Sequence, residues 1–204
     1  MPSIEQKELT KAGWWFQAVV FALILLILTP SYYLHGSTYG LLEYAILPFH
    51  EAGHFILMPF ASEFWVVAGG SIAQILLPLA FAVYFWWKRQ EVFSAAVALY
   101  WMFASMQQMA VYMADARFLL LPILGSDPTE AHDWNCLFGK MHLLNQSVAI
   151  ADVTHGLGRL GMAASLCLMF VWLMVNWRTS QSTPVAGVLD SLQPGGGKLS
   201  STRT

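Results

Sequence analysis

The residues best suited to do chemistry lie between Pro48 and His54, where the sequence reads Pro-Phe-His-Glu-Ala-Gly-His. Its HExxH pattern sets two histidines four residues apart, so that both lie on one face of an α-helix and can bind a single zinc ion. Glu51 lies about 100° around the helix from His50 and about 60° from His54, within reach of a water molecule on the metal. The pattern therefore predicts a Zn²⁺ site at His50 and His54, with Glu51 as the general base of a hydrolysis reaction.

The same three residues have an alternative interpretation, namely a hydrogen-bonded cluster at a helix interface that holds no metal. The residues around them are apolar, and polar groups left without partners in lipid cost several kcal/mol. Two imidazoles and a carboxylate on one apolar turn therefore need a strong partner. The cost of burying these groups without partners favours a metal site over the metal-free cluster.

The helix that carries the pattern belongs to a chain with the composition of a membrane protein. Of its 204 residues, 57% are hydrophobic and 11% are charged, whereas soluble domains carry about 25% charged residues. Windows apolar and long enough to cross a bilayer lie at about 13–33, 38–60, 64–87, 92–124 and 157–177. The sequence thus predicts an all-α, polytopic integral membrane helical bundle of about five transmembrane helices.

The remaining segments frame this transmembrane domain, which we place at residues 13–177. A polar segment (1–12) precedes it, a polar loop (125–146) interrupts it, and a Ser-, Thr-, Gly- and Pro-rich tail (178–204) follows that we expect to be flexible. A net charge of −2 and the lack of a basic run exclude nucleic acid as a partner. Membrane lipids are the expected surroundings.

The order of three motifs resembles the site-2 protease family of intramembrane zinc metallopeptidases. The HEAGH form of the first motif is common in that family. Gly70-Ser71-Ile72-Ala73-Gln74 occupies the place of its Gly-Pro-x-x-Asn motif, with Ser for Pro and Gln for Asn. Gln107 and Asp115 keep the spacing of its Asn and its ligating Asp, although Ala110 stands at the expected Pro. The resemblance covers about residues 38–117 and implies a three-helix metalloprotease-like core at about 38–124.

The resemblance also implies roles for individual residues. Asp115 is the first choice for the third metal ligand, since a catalytic zinc takes three protein ligands and keeps one position open. Asp133 and its neighbour His132, in the polar loop, are the alternatives. Amide side chains that can hydrogen-bond an extended substrate backbone are Gln74, Gln107 and Gln108.

Two functions follow from these expectations. The first is an intramembrane zinc metalloprotease that hydrolyses a peptide bond of a transmembrane or membrane-proximal protein substrate. The second is a non-catalytic, protease-like structural subunit of a larger membrane complex, whose other subunits would be its partners; the altered second and third motifs favour it. Zinc content and peptide cleavage distinguish the two functions.

Overall fold

The computed structural model describes residues 4–34, 41–121 and 132–181, and these ranges contain helices and turns without any strand. The all-α fold class is therefore confirmed for this part of the chain. In chain order the helices are α1 (Ile4–Leu23), a π-helical turn (Ile24–Leu28), α2 (Thr29–Leu34), α3 (Leu41–Leu57), α4 (Glu63–Tyr84), a second π-helical turn (Phe85–Arg89), α5 (Val92–Asp115), α6 (Asp133–Lys140), a 3₁₀ turn (Leu144–Gln146) and α7 (Ser147–Gln181).

Three helical stretches among the described residues are long and apolar enough to cross a membrane: Ala12–Tyr32, Glu63–Arg89 and Leu144–Trp177. In the most apolar window of each stretch, at most 39% of the residues are buried inside the protein. Many large apolar side chains therefore face outward, as on a surface that contacts lipid. The two other predicted windows coincide with α3, which has 17 residues, and α5, which has 24.

Several predicted boundaries differ from the observed ones. The fourth window was expected to run to residue 124, but α5 ends at Asp115, and the chain turns through residues 116–118 to Leu119, whose φ is 53°. The polar segment 1–12 already belongs to α1 from Ile4 onward. Helix α7 continues to Gln181, and residues 182–204 of the predicted flexible tail lie outside the described residues.

Helices α3 and α4 form an antiparallel hairpin whose backbones touch at a pair of glycines. A Cβ atom on Gly53 would overlap the carbonyl oxygen of Gly69, and one on Gly69 would lie 2.6 Å from the carbonyl oxygen of Gly53. Small residues allow helices to approach this closely. The glycine of the HEAGH motif therefore brings the histidine face of α3 directly against α4.

Helices α5 and α7 form the largest helix pair and hold much of the core. Gly158 and Gly161 on α7 provide the space for two α5 side chains, since added Cβ atoms would overlap the Gln107 amide and the Phe103 ring. Further along the same interface the fully buried Tyr100 packs with residues of α7. The α3–α4 hairpin packs against this pair through α5, mainly with α4.

The polar loop predicted at 125–146 contains helix α6, which the sequence analysis missed. Residues 122–131, the first part of that loop with the end of the preceding window, lie outside the described residues. The His132 side chain caps α6 by accepting a hydrogen bond from the Asn135 N–H, and the Asn135 amide donates to the carbonyl oxygen of Ala116. At its other end, Lys140 lies 2.8 Å from Glu63 of α4. Helix α6 is therefore held against both α4 and α5.

Candidate metal centre

Side chains from α3 and α6 converge on one point. One carboxylate oxygen of Asp133, Oδ2, lies 2.8 Å from Nε2 of His50 and 3.3 Å from Nε2 of His54. The two Nε2 atoms lie 3.2 Å apart. Among the described residues, these three form the group whose ligand atoms are close enough together to hold a metal ion.

The outer nitrogen of each imidazole is bound to the protein, and this fixes where the ring protons are. Nδ1 of His54 lies 2.8 Å from the carbonyl oxygen of Val66, which can only accept a hydrogen bond, so Nδ1 donates. Nδ1 of His50 lies 2.8 Å from Oε1 of Gln74, whose amide nitrogen faces the carbonyl oxygen of Ser105 at 3.5 Å. In the neutral form of each ring, a proton on Nδ1 leaves the lone pair of Nε2 directed toward the carboxylate, as in metal-binding histidines.

The three converging atoms are close enough together to hold a metal ion. Tetrahedral zinc with bonds of about 2.0–2.1 Å to nitrogen and oxygen holds its ligand atoms about 3.3 Å apart. Two of the separations here, 3.2 and 3.3 Å, agree with this spacing, and the third, 2.8 Å between His50 and Asp133, is shorter and has the length of a hydrogen bond. Three lone pairs facing one another repel unless a cation or a proton lies between them. Two histidines and one carboxylate also leave a fourth tetrahedral position open, as in catalytic zinc sites.

The Asp133 carboxylate is suited to bind a cation because it stays ionised. Burial raises the pKa of the Asp133 carboxyl, but the neighbouring His50 and His54 side chains lower it and prevail, so that the pKa lies below its usual value. Only 16% of the side chain is exposed. A partly buried negative charge thus faces the two nitrogen atoms.

Gly70 of α4 forms the floor of this cluster. A Cβ atom on Gly70 would lie 2.5 Å from Nε2 of His50 and 2.5 Å from Nε2 of His54. Any side chain at this position would therefore occupy the space beside both ligand nitrogens. Because α4 approaches the imidazoles this closely, only glycine fits at position 70. The Gly70–Gln74 motif of the sequence did not reveal this reason.

Glu51, the predicted general base, is not one of the converging ligands. Its side chain is exposed, and its charge acts on the His54 ring and on the Tyr112 phenol. Its role as a general base stays a prediction from the helical spacing of HExxH.

Asp115, the first choice for the third ligand, does not reach the histidine pair. Its two carboxylate oxygens accept hydrogen bonds from the backbone N–H groups of Leu120 and Leu121, at 2.9 and 3.0 Å. The chain turns back on itself directly after α5, and Asp115 caps this turn. The structure thus brings the alternative, Asp133, to His50 and His54 in place of Asp115.

The predicted glutamines have three different environments. Gln74 holds the His50 ring, as described above. Gln107 is 2% exposed and bonds with both its amide atoms to His155 of α7, donating to the carbonyl oxygen and accepting from Nδ1. The amide nitrogen of Gln108 is buried and has no hydrogen-bond partner among the described residues. The structure therefore places Gln74 at the centre and Gln107 in the α5–α7 interface.

His132, the other alternative ligand, is fully buried next to the centre but points away from it. Its Nδ1 accepts from the Asn135 N–H at 3.1 Å, and its Nε2 lies 3.4 Å from Oδ2 of Asp115. Burial lowers the pKa of the His132 ring and the neighbouring Asp115 raises it, with the net effect a lowered pKa. The ring is therefore neutral at pH 7 and carries its proton on Nε2, toward Asp115.

Sequence reasoning missed one residue of this neighbourhood, Tyr112. Its hydroxyl accepts the backbone N–H of Asp133 at 3.1 Å, and its ring stacks on His132 with centroids 4.1 Å apart. Tyr112 lies one helical turn before Asp115, on the same face of α5, and this spacing is the signal that the sequence offered.

No protein-family model matches the chain, and neither the curated proteins nor the solved structures contain a significantly similar protein.

Proposed function

We propose that this chain is a membrane-embedded zinc metallopeptidase, with His50, His54 and Asp133 as metal ligands and Glu51 as the general base. The observation that carries the proposal is the convergence of two Nε2 atoms and one carboxylate oxygen at separations of 2.8–3.3 Å. The HExxH pattern, which supplies a base beside the ligands, turns a metal site into a hydrolytic one.

The residues around the centre have distinct tasks in this reaction. When bound, zinc supplies Lewis acidity, which lowers the pKa of a water molecule to about 7 and polarises a carbonyl group. Glu51 accepts the proton of the attacking water and passes it to the leaving amine. Gln74 and the Val66 carbonyl keep both imidazoles in the tautomer that presents Nε2, and Gly70 leaves the space beside those atoms open.

The packing of the helices supports a five-span arrangement with this centre inside the bilayer. Helix α4 has the length and apolarity of a membrane span. Helix α3 runs antiparallel along it from the His54–Val66 contact to the His50–Gln74 contact, and α5 runs antiparallel along its other part. The two contacts on α4, at Val66 and Gln74, lie about 12 Å apart at 1.5 Å per residue, so α3 follows α4 over part of its length, as a neighbouring transmembrane helix would. The substrate is then a peptide in or near the bilayer.

The decisive experiment measures zinc and peptidase activity on detergent-purified protein. Asp133→Ala should lose the zinc that the wild type holds, because two imidazoles alone form an incomplete site, whereas Asp152→Ala, which removes an exposed aspartate of α7, should retain it. Glu51→Gln should retain zinc and lower hydrolysis by about 10²–10⁴-fold, the usual contribution of a general base.

The matched control for the base is Glu91→Gln, since Glu91 pairs with Arg89 at a helix end. Wild-type activity in Glu51→Gln would overturn the assignment of the base. Wild-type protein prepared without chelators and free of zinc would overturn the metal centre, and a histidine–carboxylate hydrogen-bond cluster would then account for the same distances.

One observation favours the second candidate, a non-catalytic subunit of a membrane complex. Gln107, an amide assigned by resemblance to substrate, is occupied on both sides by His155. Purification of a zinc-free chain in fixed stoichiometry with partner subunits would support this function, whereas zinc-dependent cleavage of a peptide would exclude it.

A further inference from the structure

We propose that Tyr112, His132 and Asp115 are positioning residues that set the Asp133 carboxylate at the metal centre. This inference rests on the proposed metal site. Asp133 is the first residue of α6, which has eight residues, and a helix this short is unstable in isolation. The place of its carboxylate therefore depends on what holds the beginning of α6 against α5.

The first contact acts on Asp133 itself. Its backbone N–H donates to the hydroxyl of Tyr112 at 3.1 Å. The first N–H groups of a helix have no acceptor within the helix, so the phenol oxygen of α5 supplies one at the residue whose side chain faces His50 and His54. Tyr112 thereby fixes both the position and the direction in which α6 begins.

The second contact holds the preceding residue. The His132 ring is fully buried and stacks on the Tyr112 ring at 4.1 Å, and its Nδ1 caps the N-terminus of α6. Its Nε2 lies 3.4 Å from Oδ2 of Asp115, an electrostatic contact without hydrogen-bond geometry. A cap, a stacked ring and a carboxylate together give His132 one orientation, and Asp133 follows directly in the chain.

The third contact anchors this arrangement to the end of α5. Both oxygens of Asp115 accept backbone N–H groups of the turn after the helix, from Leu120 and Leu121. Asp115 is thus rigid, and its charge lies behind the His132 ring. Asp115, which the resemblance assigned to the metal, therefore acts indirectly, by contacting His132 next to the ligand Asp133.

Tyr112→Phe tests the proposal with a minimal change. The variant keeps the stacked ring but removes the acceptor of the Asp133 N–H. We expect the zinc dissociation constant to rise about 10–100-fold, the usual effect of losing a hydrogen bond behind a metal ligand. The absorption spectrum of the Co²⁺-substituted protein should also change, because it reports ligand geometry, which a loss of stability alone does not alter.

Tyr100→Phe is the matched control. Tyr100 is a buried tyrosine of the same helix, and its hydroxyl bonds to Thr29 at the α2–α5 contact, away from the metal centre. This variant should retain the wild-type zinc affinity and the wild-type Co²⁺ spectrum, whatever it does to the midpoint of thermal unfolding.

A second variant covers the case in which Tyr112→Phe fails to fold. His132→Asn keeps a good helix cap but removes the stacked ring and the group facing Asp115, and it should also weaken zinc binding at least tenfold. If wild type binds zinc and the folded variants bind it equally well with an unchanged Co²⁺ spectrum, the positioning role is refuted and the metal site stands. If wild type binds no zinc, both proposals fail.

Discussion

The hydrogen-bond partner of each Nδ1 atom determines whether Nε2 of the same imidazole can bind a cation. The Gln74 amide oxygen and the Val66 carbonyl accept hydrogen bonds from the two Nδ1 atoms, so Nε2 is the nitrogen of each ring left to bind a cation, with a carboxylate oxygen of Asp133 beside it. Reversing the orientation of a single amide would turn Nε2 of His50 into a donor. The chemistry available here thus depends on groups outside the ligand set.

Gly70→Ala should abolish zinc binding through a single added methyl group. The Cβ atom would lie 2.5 Å from both ligand nitrogens, well inside van der Waals contact, so the imidazoles would have to rotate out of their hydrogen bonds. We expect the zinc dissociation constant to rise at least tenfold, the lower end of what disturbing the groups behind metal ligands costs. Titration with a competing chelator measures it.

The matched control is Gly156→Ala on α7, since a Cβ atom there meets nothing within 4 Å. It should leave zinc affinity unchanged and, as a glycine-to-alanine change in a helix interior, should not lower stability. Equal zinc affinity in both variants would show that the ion does not lie where the two Nε2 atoms meet.

At the scale of helices, the sequence predicted a helix at α3 with both histidines on one face, but not which carboxylate would come to face them. Helical spacing fixes His50, Glu51 and His54 relative to one another, so local geometry was sufficient. The third ligand depends on where α5 ends and how the chain returns. No local pattern showed that Asp115 would cap its own turn, or that a helix within a polar loop would deliver Asp133.

Gly53→Ala should separate α3 from α4 and destabilise the hairpin. The methyl group would overlap the Gly69 carbonyl oxygen, and backbone cannot move aside as a flexible side chain can. Overpacking of this kind costs about 1–3 kcal/mol, which should appear as a lower midpoint of thermal unfolding in detergent. Gly13→Ala, at an open position of α1, is the control and should keep the wild-type midpoint. If Gly53→Ala unfolds at the same temperature as this control, the close contact between α3 and α4 is contradicted.

For the molecule as a whole, composition predicted a membrane bundle, and three of its helices have the length and apolarity to span a bilayer. The placement of α3 and α5 decides whether the metal centre lies within the membrane. Their 17 and 24 residues correspond to about 26 and 36 Å at 1.5 Å per residue, close to or beyond the hydrocarbon thickness of about 30 Å. Both lengths are compatible with spanning.

Five spans and three spans predict opposite locations for the two short connections of the α3–α4–α5 segment. With five spans, Ser62 lies on the same side of the membrane as the N-terminus and Gln90 lies on the other side. If only the helices containing Ala12–Tyr32, Glu63–Arg89 and Leu144–Trp177 cross, these locations are exchanged. Both residues are exposed, so single cysteines there can react with an impermeant reagent.

We expect the five-span result when Ser62→Cys and Gln90→Cys are labelled separately in sealed vesicles of known orientation. The background should carry Cys136→Ser and Cys167→Ser, because both native cysteines are free. Ser62→Cys should be labelled from the N-terminal side alone and Gln90→Cys from the opposite side alone. The exchanged pattern would place α3 outside the bilayer, and the metal centre would then act on substrates at the membrane surface.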